Sequence, residues 1–399
     1  MITILRANAL ALPLADSSVD LVVTSPPYFG LRSYQDGGEH YEGQIGSEAT
    51  PAEFVDALIA ATREMVRVLN PSGSIWVNLG DKYNAYNGGR GEGTIQNNGP
   101  RQSIPRGYGL DVKTIRPKSL IGIPWRYAIR CIDDLGLILR AEVIWSKPNG
   151  LPESVTDRVR RSHEQWFHFT LNPRYYSAVD EIRESHADVS IKRAMPHRAN
   201  VKAHEDKHIV DMTQACHPLG KLPGSVWTVP TEPLRVPDHL GVDHFAAFPT
   251  EWPRRIITGW SPRGVCSTCG EVRRPVTDVA RFIVRDRKAE STYSSSPLGT
   301  MNGYRGEASR TITGEACGCP APTAPTTPGV VLDPFGGTGT TALVASVLGR
   351  HGISVDLSAD YCRLAEWRTN DPKQRAKAAR VEAVEPVSDD QPSLFGGAS

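Results

Sequence analysis

The run Val330-Val331-Leu332-Asp333-Pro334-Phe335-Gly336-Gly337-Thr338-Gly339-Thr340-Thr341 constrains this chain more than any other stretch. Three aliphatic residues read as a strand, the glycines as a tight turn, and Thr340 to Leu348 as a helix. That order belongs to an α/β fold, because a strand feeding a helix through a glycine turn builds a parallel sheet. Glycines let backbone approach a ligand, and free N–H groups at the helix start favour acceptors. No lysine follows the glycines, which makes a phosphate-cradling NTPase loop a poor match. Gly337, Gly339 and Ala342 fit Gly-x-Gly-x-x-Ala, and Asp356 follows the next strand, Ile353 to Val355, where a carboxylate can take ribose hydroxyls.

That pattern serves NAD enzymes and S-adenosylmethionine (SAM) enzymes alike. Only residues 340–399 follow the turn, too few for a dinucleotide fold, so the remaining strands are expected from the N-terminal part. That part supplies them. Leu21-Val22-Val23 reads as a buried strand stopped at Ser25-Pro26-Pro27. Thr50-Pro51-Ala52-Glu53 is a capping box with proline at the first helical position. Phe54, Leu58, Ala61, Met65 and Leu69 continue at helical spacing until Pro71-Ser72-Gly73, and Ser74 to Leu79 is the next strand. A helix from about Leu120 ends at Gly136, before a strand from Leu137 to Trp145. The expected fold is therefore a Rossmann-like sheet with helices on its faces.

Between these elements the chain divides by composition. Residues 84–110, rich in Gly and Asn, read as a mobile loop. Residues 1–150 form a first half and 151–243 a polar, separate lobe. Residues 244–262 complete the ligand pocket, and 263–329 form a Cys-rich insertion with flexible linkers from 288. Residues 330–370 make the second half, and 371–399 a disordered tail.

Lys+Arg 45 against Asp+Glu 44 leaves no global field, so a polyanion must meet a local patch. Arg101, Arg106, Lys113, Arg116, Lys118, Arg126 and Arg130 offer one, or else a solvated face. Met1 to Arg6 lacks a signal-peptide core and no apolar run spans a bilayer, so a cytoplasmic protein without a membrane partner is expected. Seven cysteines, an odd number, suit a reducing compartment. Cys266-Ser267-Thr268-Cys269 and Cys317-Gly318-Cys319 offer four thiolates for a structural zinc ion; the alternative is four unrelated thiols. Cys131, Cys216 and Cys362 are expected to be ordinary thiols.

Thr24-Ser25-Pro26-Pro27-Tyr28 carries the second chemistry. An enzyme acting on a base edge must rotate the nucleotide out of the stack. Tyr28 can supply a stacking face, while Ser25 Oγ and the Pro26 carbonyl can accept from an exocyclic amino group on a backbone stiffened by Pro26 and Pro27. Drawing those hydrogens out of plane frees the nitrogen lone pair for in-line attack on a sulfonium methyl. The bland alternative is a Pro-Pro turn after a strand.

With both strings in place, the chain resembles the β-class (permuted) DNA amino-methyltransferases, in which the catalytic motif precedes the SAM motif. The likeness runs to about Arg368. It includes Val19 to Val23, Gly43-Gln44-Ile45-Gly46, Trp145 to Ser154, Ser162-His163-Glu164 and His244 to Pro249. The resemblance implies SAM as cofactor, duplex DNA as partner, and catalytic roles for Ser25, Pro26, Pro27 and Tyr28. It implies SAM contacts at Asp333, Phe335, Gly336, Gly337, Gly339, Thr340, Thr341 and Asp356, with Phe248 enclosing the methionine part. Asn8 stands where the family usually has an aspartate. A motif beginning with serine resembles cytosine-N4 enzymes, with adenine N6 as the alternative. Cytosine C5 chemistry is disfavoured, since no cysteine follows a proline.

Residues 151–243 fall between the two halves, where target recognition is expected. Arg158, Arg160, Arg161, Lys192 and Arg193 could meet phosphates or guanine edges, or pair with nearby acids. Gln391-Pro392-Ser393-Leu394-Phe395 resembles the peptide that docks bacterial proteins on the sliding clamp, or is an incidental end. A non-catalytic DNA- or clamp-binding relic of the fold is a remoter alternative.

Overall fold

The computed structural model describes residues 1–30, 35–36, 39–40, 43–84, 115–150, 152–187, 217, 219–242, 247–285, 304–319 and 324–381, with backbone alone at 35–36, 39–40, 279–285 and 304–310. In chain order the strands are β1 (Ile2–Arg6), β2 (Val19–Thr24), β3 (Gln35–Asp36), β4 (Glu39–His40), β5 (Leu69–Leu79), β6 (Ile138–Ser146) and β7 (His163–Thr170). They continue with β8 (Val226–Thr228), β9 (Gly264–Cys266), β10 (Arg274–Arg285), β11 (Tyr304–Ala316), β12 (Thr326–Pro328), β13 (Val330–Asp333) and β14 (His351–Asp356). The helices are α1 (Pro51–Val68), α2 (Ile123–Leu135), α3 (Glu251–Trp260), α4 (Thr340–Val347), α5 (Ala359–Asn370) and α6 (Pro372–Ala379).

Eight strands form one sheet in the order β1-β14-β13-β2-β5-β7-β6-β8. The first five pair in parallel, and β7 alone runs against them, between β5 and β6. The two C-terminal strands thus sit between N-terminal ones: β14 pairs with β1, and β13 pairs with β2 through Val331 opposite Leu21 and Leu332 opposite Val22. Every residue of β2 is buried, as a parallel strand covered on both faces requires. Val22, Ile75, Val77, Phe167 and Phe169 face α1 and α2, meeting Phe54, Leu58, Met65 and Tyr127. Leu21, Val23, Trp76 and Trp166 face the other way, toward Ile256, Ile257 and Trp260 of α3 and Leu343 and Val344 of α4.

The Thr50–Glu53 capping box starts α1 as expected. The helix stops at Val68, however, and Pro71-Ser72-Gly73 lies inside β5. The ladder with β2 shifts register between Val19 and Leu21, which accommodates the proline. Residues 163–170 and 226–228, expected in a separate lobe, are strands of the central sheet. The run Trp166-Phe167-His168-Phe169 buries on both faces, and His168 is a core residue stacked on Trp76 at 4.4 Å. It stays neutral there, its pKa pushed down to about 3 by burial.

Two further expectations are corrected. The tail does not begin at 371: Asp371 caps α6, accepting from Gln374 N at 2.8 Å, and Ala378 is fully buried. Most of the described part of 288–329 is strand rather than linker, since β11 pairs with β10 in an antiparallel hairpin and β12 pairs with β9. No helix of the described residues is long and apolar enough to cross a membrane. Residues 85–110 of the expected 84–110 loop, and Arg101, Arg106, Lys113, Lys192, Arg193, Cys216 and Gln391–Phe395, lie outside the described residues.

Candidate active site

The C-terminal ends of β2, β5 and β13 lie side by side, and the two sequence strings start from them. Asp333 is the joint. Its Oδ1 accepts from Thr24 Oγ1 at 2.6 Å and from Phe335 N at 3.2 Å, and its Oδ2 accepts from Thr341 Oγ1 at 2.9 Å. The carboxyl is 1% exposed. Burial pushes its pKa up to about 6, against the pull of those three donors. Thr24 immediately precedes Ser25, so one buried acid fixes the start of both strings.

Ser25 Oγ donates to Asn78 Oδ1 at 3.3 Å, and Tyr28 Oη lies 2.8 Å from that same oxygen. Asn78, at 1% exposure, is held by its own Nδ2 donating to Gln165 O at 3.1 Å. Tyr28 Oη is also 2.8 Å from Glu164 Oε2, and Glu164 pairs with Lys147. With its proton directed to Asn78, Ser25 Oγ keeps its lone pairs for an incoming donor. The turn is braced from two sides. Gly30 N donates to Gly46 O at 2.8 Å, and a Cβ on Gly46 would come within 3.3 Å of Pro27 Cβ and Tyr28 O. A Cβ on Gly80 would strike the Tyr28 ring at 2.6 Å. Lys82 Nζ donates to Gly30 O at 3.0 Å.

The glycine turn folds around a second acid. Gly337 N donates to Asp356 Oδ2 at 2.9 Å, and Ser358 N to Asp356 Oδ1 at 2.9 Å. The glycines have different reasons to be glycine. A Cβ on Gly336 would fall 1.8 Å from Ser354 Oγ, so it serves packing. Gly339 (φ +70) would meet Ala365 Cβ at 3.0 Å, so it makes room for α5 rather than for a ligand. Gly337 (φ +49) is the least hemmed in of the three, since a Cβ there would meet only Phe335 O at 4.0 Å, and its backbone leaves the most room for a ligand. Thr338 and Thr340 are gripped from below by Arg368 Nη1 at 2.5 and 2.7 Å. No side chain caps the start of α4.

Asn8 follows β1, whose Arg6 pairs with Asp356, and accepts from Leu10 N at 2.9 Å. Phe248 packs edge-on against Trp166 with ring centres 5.8 Å apart. The sequence strings therefore meet in one region at the sheet's C-terminal edge. Asn78, Lys147, Glu164 and Arg368 were not singled out as site residues. The first announces itself only as an amide in the apolar run Ile75 to Leu79, and the last as an arginine, 3% exposed, on α5.

The four paired cysteines come together elsewhere, their sulfurs within 4.8 Å of one another. Cys131 and Cys362 are buried thiols, and Cys362 Sγ donates toward Leu5 O. A 440 Å³ depression lined by Pro71, Ser72, Asn172, Pro173 and Arg174 lies at the N-terminal end of β5, away from both strings.

A DNA methylase family model, N6_N4_Mtase, matches residues 19–266 and 324–367. Type II methyltransferase M.XycI of Xanthomonas campestris pv. cyanopsidis is 40% identical over 46% of this chain and 58% of its own length. M.Cfr9I of Citrobacter freundii is 34% identical over 64% of this chain and 71% of its own length. M.SmaI of Serratia marcescens is 30% identical over 88% and 85% respectively. Among solved structures, the PvuII DNA methyltransferase (cytosine-N4-specific) superposes with a TM-score of 0.50 at 16% identity, over 95% of this chain and 91% of that one, a likeness of fold.

Proposed function

This chain belongs to the N6/N4 DNA methylase family, and we propose that it transfers the methyl group of SAM to the exocyclic amino group of a base extruded from duplex DNA, cytosine N4 in particular. The observation that carries the reading is the Thr24–Asp333–Thr341 joint, which sets a base-type pocket beside a nucleoside-type turn.

The residues present fit SAM. Gly337 offers approachable backbone, the first N–H groups of α4 carry no side-chain cap, and Asp356 lies where ribose hydroxyls can reach it. In this reading Gly336 to Thr341 and Phe335 cradle the nucleoside part, Asp333 holds the cradle's shape, Asn8 flanks the adenosine, and Phe248 closes over the methionine part. SAM, when bound, supplies an electrophilic methyl on a sulfonium.

The rest of the chemistry falls to the protein. Tyr28 stacks on the extruded base. Ser25 Oγ and the Pro26 carbonyl accept the amino hydrogens and draw them out of the ring plane, which returns the nitrogen lone pair to the attacking direction. Asn78 fixes both ends of that clamp, because its Oδ1 receives Ser25 and lies within hydrogen-bond reach of Tyr28 Oη. Placement and charge compensation do the work, with no covalent intermediate on the protein.

Serine at the first position of the tetrapeptide supports cytosine N4 over adenine N6. The region 151–243, outside β7 and β8, is proposed to read the target sequence, and Gln391–Phe395 to dock on a sliding clamp. Mass analysis of nucleosides digested from treated duplex DNA tests the base. N4-methylcytosine supports the assignment, and N6-methyladenine moves it to the second family substrate.

A further inference from the structure

We infer that Cys266, Cys269, Cys317 and Cys319 bind one Zn²⁺ as four thiolates, and that this ion anchors the β10–β11 hairpin to the strand pair leading into the glycine turn. The four sulfurs lie within 4.8 Å of one another, and all four cysteines are free of disulfides. Tetrahedral zinc with Zn–S bonds of ~2.3 Å spaces its sulfurs about 3.8 Å apart, so the ion fits with small side-chain adjustment.

The backbone around Cys266 is already shaped for a bound sulfur. Gly270 N returns to Cys266 O at 2.9 Å, with Gly270 at φ +72, and the N–H groups of Thr268 and Cys269 point at the Cys266 sulfur. The second loop is tied to the first, since Gly318 N donates to Glu271 Oε2 at 3.1 Å.

A second, independent observation is how little apolar burial the described side chains of this module provide. Of the described side chains in 267–278 and 311–319, none is buried. A two-stranded hairpin without an apolar core is marginal in water, and small units of this kind need a metal or cross-links. Burial of the described side chains does not fix this one.

The anchor leads toward the active site. Cys266 pairs with Thr326 in the β9–β12 ladder, and Ser267 N donates to Pro325 O at 2.9 Å. Gly329 then packs so closely on Pro262 that a Cβ would meet its carbonyl at 2.3 Å, and β13 starts at the next residue. The cluster thus sits at the N-terminal end of β13, while the glycine turn leaves the other end. With four protein ligands and no open position, the ion is structural. The matched family segments stop at residue 266 and resume at 324, so three of the four ligands lie outside the segments that the family model matches.

Native mass spectrometry of the full-length protein, purified without chelator and with zinc in the growth medium, tests the assignment without any methylation assay. One zinc per chain is expected, lost on acidification. Cys269→Ser combined with Cys317→Ser is expected to lower retained zinc at least tenfold, whereas Cys131→Ser retains it fully. Less than half an equivalent in the wild type, two disulfides in its place, or undiminished zinc in the double variant overturns the site. Zinc removal is also expected to open residues 263–328 to trypsin while the sheet stays resistant; an unchanged digest after complete removal overturns the anchoring role. These readouts do not depend on whether DNA is the substrate, so failure here and failure of the methyltransferase reading are distinguishable.

Discussion

Thr24 Oγ1 donates a 2.6 Å hydrogen bond to Asp333 Oδ1 across 309 residues of chain, in a spot closed to solvent. Through it the end of β2 and the end of β13 are held level, and the base-type turn cannot drift relative to the glycine turn. Thr24→Val keeps the shape and deletes the donor. It is expected to cost ~1–3 kcal/mol of stability, the range for stranding a buried polar partner, and to weaken SAM binding, while Thr24→Ser restores both. Denaturant unfolding and calorimetric titration with SAM check this.

Asp333 also sets a pH dependence. Its folded pKa of about 6 stands above the ordinary 3.8 because of burial, so the fold prefers the protonated carboxyl. The stabilising contribution is complete below pH 3.8 and is lost as pH rises through about 6. Asp333→Asn does not titrate. Relative to that variant, the wild type is expected to lose thermal stability between pH 4 and 6 and to run parallel to it above 7. Parallel melting curves across the whole range contradict the buried-acid account.

Gly80 tests the Tyr28 pocket from behind. A methyl at that position would overlap the tyrosine ring, and the ring is expected to shift by about an ångström. Misplacement on that scale can cost ~10²-fold in rate. Gly80→Ala is therefore expected to lower kcat by at least about tenfold while the Kd for SAM changes by less than about twofold, since none of the residues assigned to SAM lies on β5 or at Gly80. Single-turnover rates and equilibrium dialysis separate the two.

Neighbouring glycines of the turn are expected to respond differently. Gly336→Ala drives a methyl into Ser354 and is expected to lower stability by ~1–3 kcal/mol, as overpacking does. Gly337→Asn keeps a left-handed backbone that asparagine tolerates, and its Cβ makes only an ordinary contact, 4.0 Å from Phe335 O. Its melting temperature is expected to hold while SAM affinity falls at least about tenfold, or ~1.4 kcal/mol.

Much of this site was legible in the chain because its determinants are local. The capping box at Thr50, the glycine turn and the Pro26-Pro27 turn each follow from backbone preferences within a few residues. What stayed hidden depends on distant partners. Nothing near Asn78 says that Ser25 and Tyr28 will meet it, and Arg368 reaches Thr338 and Thr340 only after α5 folds back over the turn. The strand His163–Thr170 was concealed by its aromatic, non-alternating pattern, which suits a position buried between β5 and β6. The α6 helix was concealed by its charge; it docks through one buried alanine, Ala378, a capping aspartate, and polar contacts from Arg375 to Thr369 O and from Lys377 to Glu232.

Transfer of tritium from methyl-labelled SAM to duplex DNA, with RNA and protein offered in parallel, tests the central claim most directly. Label is expected in DNA alone, abolished by Tyr28→Ala with SAM binding retained. Label confined to RNA or protein, or DNA labelling that survives Tyr28→Ala unchanged, would contradict it.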